Sequence, residues 1–382
     1  MDLRLTEREA AFQAECRAWL QGNVPRGPAL SGDTQAGFEA HRVWERALFD
    51  AGFAVVNWPE AYGGRGATPI EWLLFEEAYY AAGAPPRITQ NGIFLLGPSL
   101  FEFGTPDQQA RYLRRMAAAE DLWCQGWSEP GSGSDLSSVR SRATRVETPE
   151  RTGWLLSGQK TWCTRGAYCN KLFGLFRTNP DVPKHKGLTY FLVALDAPGV
   201  TVRPVERLDG DPGFAEVFFD EVFVPETDVL GGVDRGWNVA MATTSSERGL
   251  NLRSPGRFLA TVDRLIALWK TAGRPERHRE ALARAYIDAE SYRLFTLQMA
   301  TRLTDGDSIG AEASLSKIFW SELDVRLHET AMGLLAAGAE FPDDPWVRGF
   351  MFSLAGPIYA GTNEIQRNIV AERLLGLPRR AV

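Results

Sequence analysis

Residues 123–135, Trp-Cys-Gln-Gly-Trp-Ser-Glu-Pro-Gly-Ser-Gly-Ser-Asp, carry the densest set of groups able to hold an oxygen-rich ligand. Their glycines allow close backbone approach, and Ser128, Ser132, Ser134 and several N–H groups can donate to phosphate or carbonyl oxygens. An ordinary Gly/Ser loop has the same composition, and on this segment alone that reading stays open. No strand precedes the segment and no Lys-Ser or Lys-Thr follows, so neither a Rossmann turn nor a P-loop fits. A second candidate is Glu247-Arg248, inside Gly-Trp-Asn-Val-Ala-Met-Ala-Thr-Thr-Ser-Ser-Glu-Arg-Gly at 236–249. On a helix starting near Gly236, Trp237, Met241 and Ser245 share one stripe, and Thr243, Thr244 and Glu247 lie on a neighbouring face. A glutamate beside an arginine is ordinarily a solvated pair. Here four hydroxyl residues precede it and other charges are sparse, as on a partly buried face, where a carboxylate's pKa rises towards the range of a general base.

Other chemistries find less support. Ser314-x-x-Lys317 matches one element of a penicillin-binding serine site, but its Ser-Asp-Asn and Lys-Thr-Gly companions are absent and it falls mid-helix. Cys16, Cys124, Cys163 and Cys169 have no metal or redox spacing and read as reduced, partly buried thiols. The four histidines form no cluster, which argues against a metal site. A net charge of −6 gives no reason to expect nucleic acid or an anionic membrane as partner. No apolar run reaches the roughly 18 residues of a membrane span. Met1-Asp2-Leu3-Arg4 is charged, with no apolar signal core, so a cytoplasmic location is expected.

The elements that must position these residues follow from periodicity. Residues 4–21 place Leu5, Phe12, Cys16 and Trp19 at helical spacing, and 34–51, 69–82 and 107–118 repeat that character. From Leu122 the pattern changes. Residues 152–160, 187–195, 200–206 and 214–224 are rich in β-branched and aromatic residues with Gly, Pro and Asp punctuation, which predicts a compact antiparallel β domain. Phe218, Phe219, Val222, Phe223 and Val224 predict that both faces of the last strand pair are covered. Helical periodicity returns over 236–268, 276–303, 309–338 and 363–375. The last of these starts near Asn363 with Gln366 three residues on, a weak capping box, and directs Ile365, Ile369 and Leu374 inward before Gly376 and Pro378. The expected architecture is α+β: an N-terminal all-α domain (1–121), a middle antiparallel β domain (122–230) and a C-terminal four-helix bundle (231–382).

Two further segments give these elements a family likeness. Near the C-terminus the chain reads Ile358-Tyr359-Ala360-Gly361-Thr362-Asn363-Glu364-Ile365-Gln366-Arg367. It resembles the C-terminal signature of the acyl-CoA dehydrogenase family. The Glu-Pro-Gly-Ser-Gly-Ser-Asp string resembles that family's first flavin motif, and Gly-Gln-Lys-Thr-Trp-Cys-Thr-Arg-Gly at 158–166 its second. Residues 57–66 look like its first-domain loop. The resemblance spans nearly the whole chain. It implies an FAD enzyme in which a carboxylate removes the α-proton of an acyl-CoA as the β-hydride passes to the flavin. It implies flavin contacts at Gln125, Trp127, Ser128, Trp162, Thr164, Thr362 and Glu364, and an acyl-CoA channel lined by Ser134, Arg248, Tyr359 and Ala360.

In many members the position of Ala360 is the catalytic glutamate. Branched-chain and long-chain members instead carry the base just before an arginine, which by resemblance assigns it to Glu247. Alanine at 360 leaves space near the thioester and points to a branched, cyclic or bulky acyl group; its N–H would help polarise the carbonyl. The Arg-x-x-Phe-Gly segment of many members is missing from 264–295, and 333–338 reads Gly-Leu-Leu-Ala-Ala-Gly where Gln-x-x-Gly-Gly is usual. The resemblance further implies a tetramer, either a homotetramer or an α2β2 heterotetramer with a homologous chain, and an electron-transfer flavoprotein as acceptor. An acyl-CoA oxidase or flavin monooxygenase on the same fold is the remaining alternative.

Overall fold

A threonine followed three residues later by a glutamate or glutamine starts three of the first five helices. These helices are α1 (Glu7–Asn23), α2 (Gln35–Asp50), α3 (Pro69–Ala81), α4 (Gly97–Phe103) and α5 (Pro106–Ala117). In α1, α3 and α5 the side chains of Thr6, Thr68 and Thr105 accept N–H bonds from Glu9, Glu71 and Gln108, whose own side chains bond back to the cap. Proline at the first position of α3 and α5 has no N–H to leave unpaired there. The computed structural model describes residues 3–27, 30–248 and 254–378, apart from the side chains of 245–248. Within α1 the buried residues are Phe12, Cys16 and Leu20, while Leu5 lies ahead of the helix and is exposed.

The middle of the chain forms β1 (Trp123–Gly126), β2 (Arg142–Glu147), β3 (Thr152–Lys160), β4 (Lys171–Arg177), β5 (Leu188–Ala194), β6 (Val200–Val205), β7 (Phe214–Pro225) and β8 (Val229–Leu230). Their order in one sheet is β6-β7-β3-β2-β4-β5-β8, with β1 added to β4. Most pairings are antiparallel, as expected, but β1–β4 and β2–β4 run parallel, because β1 and β2 reach β4 through crossovers rather than hairpins. Strand β7 buries Ala215, Val217, Phe219, Val222 and Val224 on one face. Its other face is only half covered, by arginines: Arg203 lies 4.8 Å from the Phe218 ring and Arg151 lies 4.7 Å from that of Phe223. In β3 the pairing slips between Leu156 and Gly158, where Gly158 takes φ +141. Beyond this bulge Lys160 is fully buried.

After β8 come α6 (Gly236–Arg248), α7 (Pro255–Thr271), α8 (Arg279–Thr304), α9 (Glu312–Leu335), α10 (Pro345–Ser353) and α11 (Asn363–Ile369). The single helix expected over 236–268 is thus two helices. Ser254 caps the second through a bond from Gly256 N–H and Pro255 occupies its first turn, a start signal the apolar period concealed. Gly236 begins α6 because a Cβ there would come within 2.6 Å of the Thr189 carbonyl carbon. By contacts the chain groups into two compact units. One comprises residues 1–27, 67–85 and 247–382, and the other 28–66 and 86–246. The first has its core among α7, α8 and α9, around Phe258, Leu265, Tyr292 and Leu327. The second has one core around Trp58, Trp123, Trp127 and Tyr190, and another within the sheet around Phe176, Phe191 and Val217.

Candidate functional site

Within the second unit, the two segments singled out at 123–135 and 158–166 are joined edge to edge. Thr161 N–H donates to the Ser128 carbonyl at 2.9 Å. One residue to either side, Lys160 Nζ reaches Glu129 Oε1 at 2.7 Å, with the lysine side chain fully buried and the glutamate 9% exposed. The Glu129 carboxylate also accepts from Arg140 N–H at 2.7 Å and Ser141 N–H at 2.9 Å. Burial alone would raise its pKa, but the Lys160 charge and these donors outweigh it and hold the carboxyl below its ordinary range. Burial in turn pushes Lys160 down despite the partner carboxylate. A cleft of about 350 Å³ opens beside the pair, lined in part by Glu129, Ser132, Ser138, Arg140 and Gln159.

The predicted contact residues sit differently around this junction. Gln125, on β1, and Ser128 and Thr164 are half-buried, and Ser134 is exposed. The Trp127 indole is committed to the core, edge-on to Phe173 at 6.4 Å and to Tyr190 at 6.1 Å, and its carbonyl accepts from Lys160 Nζ at 3.4 Å. Trp162 is the opposite case. It is 60% exposed although it is a large aromatic, and it takes the left-handed φ of +59. Its neighbours are pinned: Cys163 and Ala215 exchange both backbone bonds at 3.0 and 2.9 Å, and the Trp162 ring meets Phe214 edge-on at 5.7 Å. An exposed indole on a fixed, strained turn beside free hydroxyls suits a flat, oxygen-bearing ring system such as a flavin.

In the first unit the C-terminal signature forms one turn leading into α11. Ala360 and Gly361 both have left-handed φ, +56 and +81. Thr362, not Asn363, caps the helix, accepting from Ile365 N–H. Gln366 donates to the carbonyls of Ala360 and Gly361 at 3.3 Å, so it ties the turn together instead of completing a capping box. The buried side of α11 is polar, Asn363 and Gln366, while Ile365 and Ile369 are half-buried and Leu374 is exposed. Lys317, fully buried, explains this: its Nζ donates to Asn363 Oδ1 at 2.8 Å, where Ser321 Oγ also donates at 3.1 Å. Of Ser314-x-x-Lys317, the lysine therefore anchors the signature. Tyr359 packs on Trp320 at 5.9 Å, and Glu364 is exposed. Among the described residues, no backbone carbonyl accepts from the Ala360 N–H.

Helix α6 buries Val239, Ala240, Thr243 and Thr244, and Thr243 bonds Ser99 Oγ at 2.7 Å. Glu247 is one turn beyond Thr243 in the helix. The side chains of Glu247 and Arg248 lie outside the described residues.

Several groups had no sequence signal. The Lys160–Glu129 pair depends on the bulge in β3. Cys124, Cys163 and Cys169 meet although 45 residues separate the first from the last; contact with the Cys163 and Cys169 thiols, then burial, pushes Cys124 well up. Among the described residues no group of His, Cys, Asp or Glu gathers as a metal site, and no helix is long and apolar enough to cross a membrane. A larger cleft of about 650 Å³, between α1, α3 and α7, holds none of the predicted site residues.

Comparison with known proteins bears on what this arrangement does. Family models described as the acyl-CoA dehydrogenase N-terminal, middle and C-terminal domains match residues 6–120, 124–222 and 234–375. The chain is 39% identical to "Acyl-CoA dehydrogenase IpdE1" of Mycobacterium tuberculosis over 97% of this chain and 98% of that protein. Among solved structures it is similar to "Tcur3481-Tcur3483 steroid ACAD" (TM-score 0.88, 27% identity, 99% of this chain and 100% of that chain). It is also similar to a chain of the ChsE4-ChsE5 complex from Mycobacterium tuberculosis (TM-score 0.83, 25% identity, 99% and 100%).

Proposed function

Because this chain belongs to the acyl-CoA dehydrogenase family, whose members are FAD flavoproteins that oxidise CH–CH bonds, we propose that it desaturates the α,β-bond of a bulky, ring-bearing acyl-CoA, steroid-derived in class, with Glu247 as the base. The observation that carries the reading is the joined pair of segments at Thr161–Ser128, which presents an exposed Trp162. The steroid class is supported by the likeness to a protein described as a steroid ACAD, and by Ala360, whose methyl group leaves space where many relatives carry glutamate.

The residues fit the cofactor. Trp162 would pack beside the isoalloxazine, Thr164, Ser128 and the backbone of Trp127 would donate to it, and Gln125, Thr362 and Glu364 would complete its surroundings. Bound FAD supplies the acceptor for the two electrons leaving the substrate. The protein's part is to orient the thioester and to move one proton. Ala360 N–H donates to the thioester carbonyl, acidifying the α-carbon, and the Glu247 carboxylate takes the α-proton. By resemblance, Ser134, Arg248 and Tyr359 would line the acyl-CoA path. The three family matches support a division of the chain into 1–121, 122–230 and 231–382, with Gln125, Trp127, Ser128, Trp162 and Thr164 in the second. An electron-transfer flavoprotein is the proposed acceptor, in the cytoplasm.

Glu247→Gln tests the assignment: the variant should keep its FAD but lose anaerobic bleaching by substrate, and retained turnover would remove Glu247 from the mechanism. Faster turnover of a short straight acyl-CoA than of a ring-bearing one would sink the substrate class. A second reading, an α2β2 assembly with a homologous chain, is favoured by the missing Arg-x-x-Phe-Gly and by the paired names of the two similar structures. The chain purified alone with about one FAD per protomer would exclude it.

A further inference from the structure

A buried carboxylate bonds an arginine three residues past the exposed tryptophan. Asp33, between α1 and α2, bonds Arg165 Nε through Oδ1 at 2.6 Å and Arg207 through Oδ2. The three side chains are only 10–14% exposed. Arg207 continues to Asp209 at 2.7 Å. Burial pushes the Asp33 pKa up, but the two guanidinium charges prevail and hold it below its ordinary value, so it stays ionised.

Arg165 is three residues past Trp162, and both are left-handed, at φ +54 and +59. Two such strained non-glycine residues persist only where surrounding contacts over-determine them. The contacts here are identifiable. Arg165 N–H donates to the Gly213 carbonyl at 2.9 Å, and the Arg165 side chain is held by Asp33. Phe38 of α2 packs against Tyr168 at 5.4 Å, extending the same clamp. Of these, the Asp33 bond is the charged one, and it comes from a segment more than a hundred residues away in sequence.

We propose that Asp33 is a positioning residue for the cofactor: through Arg165 it sets the turn that presents Trp162 and Thr164, and without it that turn relaxes and FAD binds more weakly. This rests on the flavin reading of Trp162 and Thr164. Its geometry is independent of the base and of the substrate.

The test measures FAD dissociation constants of the deflavinated full-length protein. Asp33→Asn should bind FAD at least about tenfold more weakly, as expected for loss of a charge-assisted hydrogen bond. It should also shift the visible absorption maximum of the bound flavin, and Asp33→Glu should restore most of both. Glu71→Gln, which breaks the Arg8–Glu71 pair in the other unit, controls for stability loss alone and should leave both readouts unchanged. Equal losses in Asp33→Asn and Glu71→Gln would overturn the proposal. So would weakened binding in Trp162→Ala with wild-type binding in Asp33→Asn, and that result would leave the flavin reading standing. Wild-type binding in Trp162→Ala would sink the flavin reading and this proposal with it.

Discussion

Two turns hold four of the seven predicted cofactor contacts, Trp162 and Thr164 in one and Thr362 and Glu364 in the other, and they are locked by different physics. The Trp162 turn is held by ion pairs with partners distant in sequence, Lys160–Glu129 and Arg165–Asp33. The Ala360 turn is held mostly by its own helix, through the Thr362 cap and Gln366; its buried anchor is the neutral Asn363 amide on Lys317, and the Arg367–Glu322 pair on the same helix is exposed. Both turns strain a non-glycine residue into left-handed backbone. The end of a strand has no local means of fixing the loop leaving it, so the clamp comes from elsewhere in the chain. A helix N-terminus can fix the turn before it with its own N–H groups and side chains.

The largest expected effect is Lys160→Met. It strands the Glu129 carboxylate in a buried site, and breaking such a pair from one side costs about 3–5 kcal/mol. A urea unfolding midpoint within error of wild type would break the contrast at its strongest point. Lys317→Met should cost less, about 1–3 kcal/mol, because Asn363 is neutral and keeps its Ser321 donor. A loss equal to that of Lys160→Met would mean the two anchors are alike. Ala360→Gly removes the left-handed penalty and should leave stability unchanged or raise it by about 1 kcal/mol, readable as a higher thermal midpoint.

Acid should separate the turns more gently. Asp33 and Glu129 have folded pKa values below their unfolded ones. The folded state therefore binds their protons less readily, so their stabilisation is complete above about pH 4–5 and is lost as pH falls through the folded values. In the other turn Glu364 is also lowered, by its own backbone N–H first, but it is exposed and adds little. Hydrogen exchange between about pH 5 and 3 should thus open residues 128–141 and 161–166 before 358–366. Simultaneous opening would show that the ion pairs are not what separates the two turns.

Much of the fold was legible. Thr-Pro-x-Glu and Thr-Pro-x-Gln mark α3 and α5 directly, and the change of period near Leu122 marks the sheet. Strand β4, Lys-Leu-Phe-Gly-Leu-Phe-Arg, was not legible, because a strand buried on both faces loses its alternation and cannot be told from a helix core. The split between α6 and α7 was missed because the apolar period continues across it and only Ser254-Pro255 signals the break. At the site, the motif strings located both turns and the helix bearing Glu247. They did not reveal that the Trp127 indole is core while Trp162 is presented, since both are tryptophans in polar surroundings in sequence.

The sequence by itself determined the local features: which threonines cap, where the Gly/Ser turn falls, which residue types stand at each motif position, and that alanine occupies 360. Those depend on neighbours within a few residues. Only the tertiary structure decided that Asp33 reaches Arg165 and Arg207, that Lys160 meets Glu129, and that Lys317 anchors Asn363. Such pairs join residues 31 to 174 positions apart, and a buried charge carries no mark of its partner until folding removes the water that would otherwise satisfy both.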